Sequence, residues 1–197
     1  MPHDEFDNLV REPMLRNRQS AIDVLKTHGW LLIPDVRVDL LSIGAQGVFC
    51  GVKLDTNIEA DFATYEILRG RLHWQFVYVG SPTARILDGS QLSAEFQHSL
   101  QQIERWRELI PRNGFSLPLK QSLPDTTRTS FSYRIIIGQS HHQTDEERSV
   151  INASRQNDLR IRSFDWLLEK PVHYSEREID LLDQVGHAGT AATSGNL

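Results

Sequence analysis

Asp61 sits in the run ADFATYEIL (60–68), flanked by Ala60 and Phe62. An ionised carboxylate in an apolar strand is costly without a partner, so Asp61 is either paired structurally or placed for chemistry. Glu59 shares its strand parity, and Glu66 has the opposite one. Lys53 and Asp55 share one face of the preceding run, VFCGVKLD (48–55). Glu95 opens a strongly amphipathic stretch, seven residues before Gln102 and on nearly the same helical face. Carboxylates gathered from neighbouring strands and a following helix suit metal-assisted phosphodiester cleavage. Mg²⁺ is a hard cation that prefers oxygen ligands, and a Lys or its equivalent orients water or steadies developing charge. The plain alternative, a solvated charge, is the default for every acid here except Asp61.

Positioning these residues requires a sheet and a helix, and the pattern supplies both. Three β-rich runs, 48–55, 60–68 and HWQFVYVG (73–80), are joined by connections short enough for antiparallel hairpins. Phe96, Leu100, Ile103, Trp106 and Ile110 then recur at three and four, the stripe of a helix packed on one side. Residues 114–129 are polar and read as a loop. FSYRIIIG (131–138) predicts a buried strand, and Thr144 to Glu147 form a capping box that opens a helix through Asn157. LRIRSF (159–164) predicts a short strand. A second capping box, Ser175 to Glu178, predicts a helix closed by Gly186. Upstream, Phe6, Leu9 and Val10 suggest a short helix. Residues 14–26 predict another, and WLLIP an extended piece.

The 197 residues allow one domain with a sizeable core, of the α/β class with helices around a mixed sheet. We expect a helical segment over 1–30, the main domain over 31–186 and a disordered tail over 187–197. A net charge of -5 excludes a generally basic nucleic-acid binder, although Arg far outnumbers Lys among the 21 basic residues. A single cysteine, Cys50, excludes a disulfide framework and a Cys-based zinc site, which points to the cytoplasm. The acidic start MPHDEFDNLV lacks the order of a signal peptide, and no apolar run is long enough to span a bilayer. P-loop, zincin and nucleophile-elbow motifs are absent. The His141-His142 pair reads as part of a polar loop.

The run ADFATYEILRGRLHWQFVYVGSP, followed by ILDGSQLSAEFQHSLQQIERW, resembles the Shedu family of bacterial anti-phage proteins. SYRIIIGQ, the helix ending in RQN, and LRIRSFDWLLEK resemble that family's "IIG-R" strand, Asn-bearing helix and "I-TYD-LL" ending. The likeness keeps its order from about residue 6 to residue 170. It implies a restriction-endonuclease-like core of the PD-(D/E)xK type, with an antiparallel three-stranded meander in a mixed sheet flanked by helices. It also implies action on DNA with Mg²⁺ in defence against phage, and a homo-oligomer; a protein partner in a defence complex is the expectation if Tyr78, Gly80 and the acidic net charge mark a non-catalytic module.

In that pattern Asp61 matches the acid of the second strand, and Gln102, four residues before Trp106, matches a helical Gln followed by an aromatic. The next strand should read roughly V-E-x-K-x-P; here Tyr78 stands at the acid and Gly80 at the Lys. The amino-terminal Glu of the family has no clear counterpart besides Glu12. A phenol with a pKa near ~10 is no substitute for a carboxylate at neutral pH, so we expect cleavage to be impaired or lost. An active endonuclease would need Asp61 with a migrated acid, Glu59 as a second metal ligand or Glu95 as a further catalytic group. The other alternative is a non-catalytic assembly subunit. Arg69, Arg71, Arg105 and Arg107 are the candidates for DNA phosphate contacts.

Overall fold

In the computed structural model, residues 7–33, 46–68, 71–112 and 128–169 are described. Phe6, Arg69, most of the 114–129 loop, the Ser175–Glu178 capping box with its helix, and the 187–197 tail lie outside them.

The β-branched and aromatic runs form the three long strands β1 (Gln46–Asp55), β2 (Ile58–Leu68) and β3 (Arg71–Val79). Consecutive members pair antiparallel, Cys50 opposite Phe62 and Phe62 opposite Val77. A small hairpin follows, β4 (Leu87–Asp88) with β5 (Gln91–Leu92), turned by Gly89 at a φ of 61°. The strands β6 (Arg128–Ile136) and β7 (Leu159–Arg162) then run parallel to β3 and to each other. The result is a mixed five-stranded sheet in the order β1-β2-β3-β6-β7.

Helices cover both faces, which explains why β3 is apolar along most of its length rather than alternating. One face carries Val48, Phe62, Val77, Val79 and Ile136. It packs against α1 (Glu12–Met14), α2 (Arg18–Thr27) and α5 (Phe164–Leu168) through Met14, Leu25, Phe164 and Leu167, and against Trp30 of the turn after α2. The opposite face carries Phe49, Ala63, Trp74, Phe76, Tyr78 and Ile135. These meet Phe96, Ile103, Trp106 and Ile110 of α3 (Ala94–Arg112) and Ile151 of α4 (Asp145–Ser154). The α3 contacts are the apolar stripe predicted from spacing. Truncating one of these buried aromatics to Ala would cost roughly 3–5 kcal/mol.

Four elements differ from expectation. Residues 14–26 are not one helix: Asn17 is extended and its side chain accepts from the Ser20 N–H, so a new helix starts at Arg18. Trp30, Leu31 and Leu32 of WLLIP are not extended but follow Gly29 into a 3-10 turn over Gly29–Leu32, all three buried, while Ile33 is extended and Pro34 lies outside the described residues. A run apolar at every position carries no period, so it fits a turn sunk in the core as well as a strand. Phe164 leaves β7 and begins α5, while the α4 helix ends at Ser154, short of Asn157.

Candidate functional site

The register between β2 and β3 runs from Leu68 opposite Arg71 to Phe62 opposite Val77 and stops there. Two residues on, side chains take over the work of the ladder. The Val79 N–H donates to Asp61 Oδ2 at 2.8 Å, and the Val79 carbonyl accepts from Arg18 Nε at 2.7 Å. Arg18 Nη2 closes the ring by donating to Asp61 Oδ1 at 2.7 Å. Arg18 is placed for this because Asn17 starts α2 at that residue. Val79 is fully buried, so both of its backbone groups need partners, and Asp61 and Arg18 supply them.

Tyr78 lies between the acids. The Arg18 guanidinium is 5.4 Å from its ring centroid, and the His98 ring of α3 is at 6.1 Å in an edge-on arrangement. Burial raises the phenol pKa; the Arg18 charge pulls it down, while Asp61 and Glu95 push it up. Burial likewise pushes the Asp61 carboxyl above its ordinary value, against the Val79 N–H and Arg18, with a further upward push from Glu59. Glu95 does reach the sheet end, where its Oε1 accepts from the Ser81 N–H. Gly80 is packed closely: a Cβ there would lie 3.0 Å from Ile137 Cγ1 and 3.3 Å from Glu95 Oε1. A lysine at this position would have to displace both neighbours.

These residues do not fit Mg²⁺. Both Asp61 oxygens are occupied, one by a backbone N–H and one by a guanidinium that already supplies the positive charge. One Glu95 oxygen is taken by Ser81. Glu59 is close enough to Asp61 to raise its pKa, yet among the described residues no group of three His, Cys, Asp or Glu side chains is placed to hold a metal ion.

The remaining candidates scatter. Gln102 Nε2 faces His98 Nε2 at 3.4 Å, and Trp106 is core. Arg105 is exposed on α3. Arg71 is exposed at the start of β3, roughly 26 Å along the strand from Val79. Arg107 is committed elsewhere: Nε and Nη2 grip Asp158 at 3.1 and 2.6 Å, Nη1 donates to Glu104, and the guanidinium lies 5.5 Å from the Tyr133 ring centroid. Arg69 lies outside the described residues.

Two further residues, Arg18 at the sheet end and Glu147 in the first turn of α4, carry no functional signal in the sequence. Arg18 had one local signal, its place after a helix-starting Asn, but nothing local links it to Asp61, 43 positions away. Glu147 was read only as a capping-box member. The box is present, and the carboxylate does more: it is buried and holds both Arg85 Nε and Nη2 at 3.0 and 3.1 Å. It also accepts from the N–H groups of Ile86, Leu87 and Thr144. Burial alone would raise its pKa, but Arg85 and these N–H donors outweigh it and bring the group to about 2.

Among the described residues no helix is long and apolar enough to cross a membrane. The chain matches no protein-family model and no curated protein.

Proposed function

We propose that this chain is a Shedu-like domain with a restriction-endonuclease-like core that acts in the cytoplasm, in anti-phage defence, by binding DNA without cutting it. The observation that carries the non-cleaving part is the closed ring of Arg18, Asp61 and Val79. In this reading the nuclease acid has become a structural group that terminates the β2–β3 ladder. A guanidinium stands against it where a divalent cation would have to bind. Tyr78 and Gly80 at the positions of the missing acid and Lys support the same conclusion. Exposed Arg105 and Arg71 are the phosphate contacts, and the domain works as a homo-oligomer alongside a catalytic or signalling protein partner.

Two measurements test this. Fluorescence anisotropy with a duplex should give affinity that weakens steeply as salt rises, because phosphate contacts release counterions. Arg105→Ala and Arg71→Ala should each weaken binding and flatten the salt dependence. Plasmid DNA incubated with Mg²⁺ or Mn²⁺ should remain uncut. Metal-dependent nicking that Asp61→Ala abolishes would overturn the non-cleaving reading, and absence of binding at low salt would overturn the DNA reading.

A further inference from the structure

The protein has more acids than bases, yet several of its described arginines lack an acidic partner. Arg18, Arg85, Arg107 and Arg148 each pair with a carboxylate. Arg134, Arg155, Arg160 and Arg162 form no ion pair with any carboxylate among the described residues. Three of these lie on adjacent strands: Arg134 is directly opposite Arg160, and Arg162 is two residues further along the same face of β7. Like charges so placed repel. Arg134 is buried, donates Nη1 to the Leu32 carbonyl, and has no partner for Nε. Its guanidinium lies 4.5 Å from the Trp166 ring centroid, and that of Arg162 lies 5.7 Å from it.

Beside them is a cleft of about 280 Å³ lined by Arg155, Arg162, Trp166, Ser140 and Gln143, with Glu169 as its one acid. Asp165 is otherwise engaged: its Oδ2 accepts from the backbone N–H and hydroxyl of Ser140, and its Oδ1 lies 3.5 Å from His141 Nδ1. Burial lowers the Arg162 pKa, and Arg155 and Arg160 lower it further. Burial, with a contribution from Arg162, brings Arg134 down to about 9, so it still carries its charge at neutral pH. An anion in the cleft would relieve this repulsion. The space holds several times the ≈ 30 Å³ that one water occupies in the liquid. Two planar guanidiniums and an amide are donors that match tetrahedral oxyanions.

We propose that this cleft, at the carboxyl ends of the parallel strands β6 and β7, binds a phosphoryl group through Arg155 and Arg162, with the Gln143 amide as a third donor. The site does not rest on the DNA reading, since a small phosphorylated ligand or a polynucleotide backbone could present the group.

The test is an NMR titration of the full chain with inorganic phosphate at low ionic strength, following the Arg155, Arg162 and Gln143 resonances. Acetate at matched ionic strength is the control. Saturable shifts with phosphate that acetate does not reproduce are expected, and Arg155→Gln should weaken them roughly tenfold or more. Arg162→Gln gives a second, independent variant, with the far-resonance spectrum reporting that each remains folded. No saturable shift, an equal response to acetate, or unchanged affinity in both folded variants would overturn the site. Displacement of phosphate by a short duplex would support a polynucleotide source. Displacement by ADP but not by duplex would support a small ligand.

Discussion

Replacing Asp61 separates a catalytic carboxylate from a structural one by its effect on stability. A solvent-facing catalytic acid can be truncated with little loss, whereas Asp61→Ala here strands the N–H of a fully buried residue, Val79. An unsatisfied buried donor costs about 1–3 kcal/mol. The Arg18 ion pair adds less, because the Arg18 side chain is 41% exposed and such pairs contribute about 0–1 kcal/mol. We therefore expect Asp61→Ala to lower stability by about 1–4 kcal/mol in urea unfolding at pH 7. Asp61→Asn should lose less, since its carbonyl oxygen still accepts from Val79. The sign of the pH dependence follows from the raised Asp61 pKa. A group raised in the fold contributes fully below its unfolded value, near 3.8, and loses that contribution as pH rises through the folded value. The Asn variant should thus close on wild type as pH rises from about 4. An Ala variant within ~0.5 kcal/mol of wild type would refute the structural role assigned to Asp61.

Glu147→Gln should be less stable than wild type by about 3 kcal/mol at pH 7, the linkage value of a carboxyl held near 2 instead of 4.5. Because that pKa is depressed, the advantage of Glu is present above 4.5 and lost as pH falls toward 2; a gap in urea midpoints that is constant between pH 7 and pH 3 would contradict it. Gly80→Lys, which restores the residue type of the nuclease pattern, should destabilise by about 1–3 kcal/mol through crowding of Ile137. Calorimetry on that variant should show no gain in Mg²⁺ binding, because Arg18 still holds Asp61.

What could be read in advance was whatever the chain determines locally. The α3 stripe and the Thr144 capping box depend on residues three or four apart, and both formed where their spacing placed them. The strand runs were equally plain, since β-branched and aromatic residues bounded by turn signals leave few alternatives. WLLIP was not, because an unbroken apolar run has no period to separate turn from strand. Asp61 was singled out on the cost of burying a charge, and that cost is real. The identity of its partner depends on how α2 crosses the sheet, which no local pattern encodes. The pairing of Arg107 is hidden for the same reason: Asp158 is 51 residues away in sequence and only the fold brings the two together.

The guanidinium of Arg18 has one more consequence. It is a cation attached to the chain by covalent bonds, so its effective concentration at Asp61 is set by the tether and not by the medium. A dissolved ion competing for the same carboxylate faces a rival that never diffuses away. The positive charge beside Asp61 therefore does not depend on a dissolved metal ion. Chelators and changes in Mg²⁺ concentration should leave it as it is, and what can release Asp61 is movement of α2 or protonation of the carboxyl.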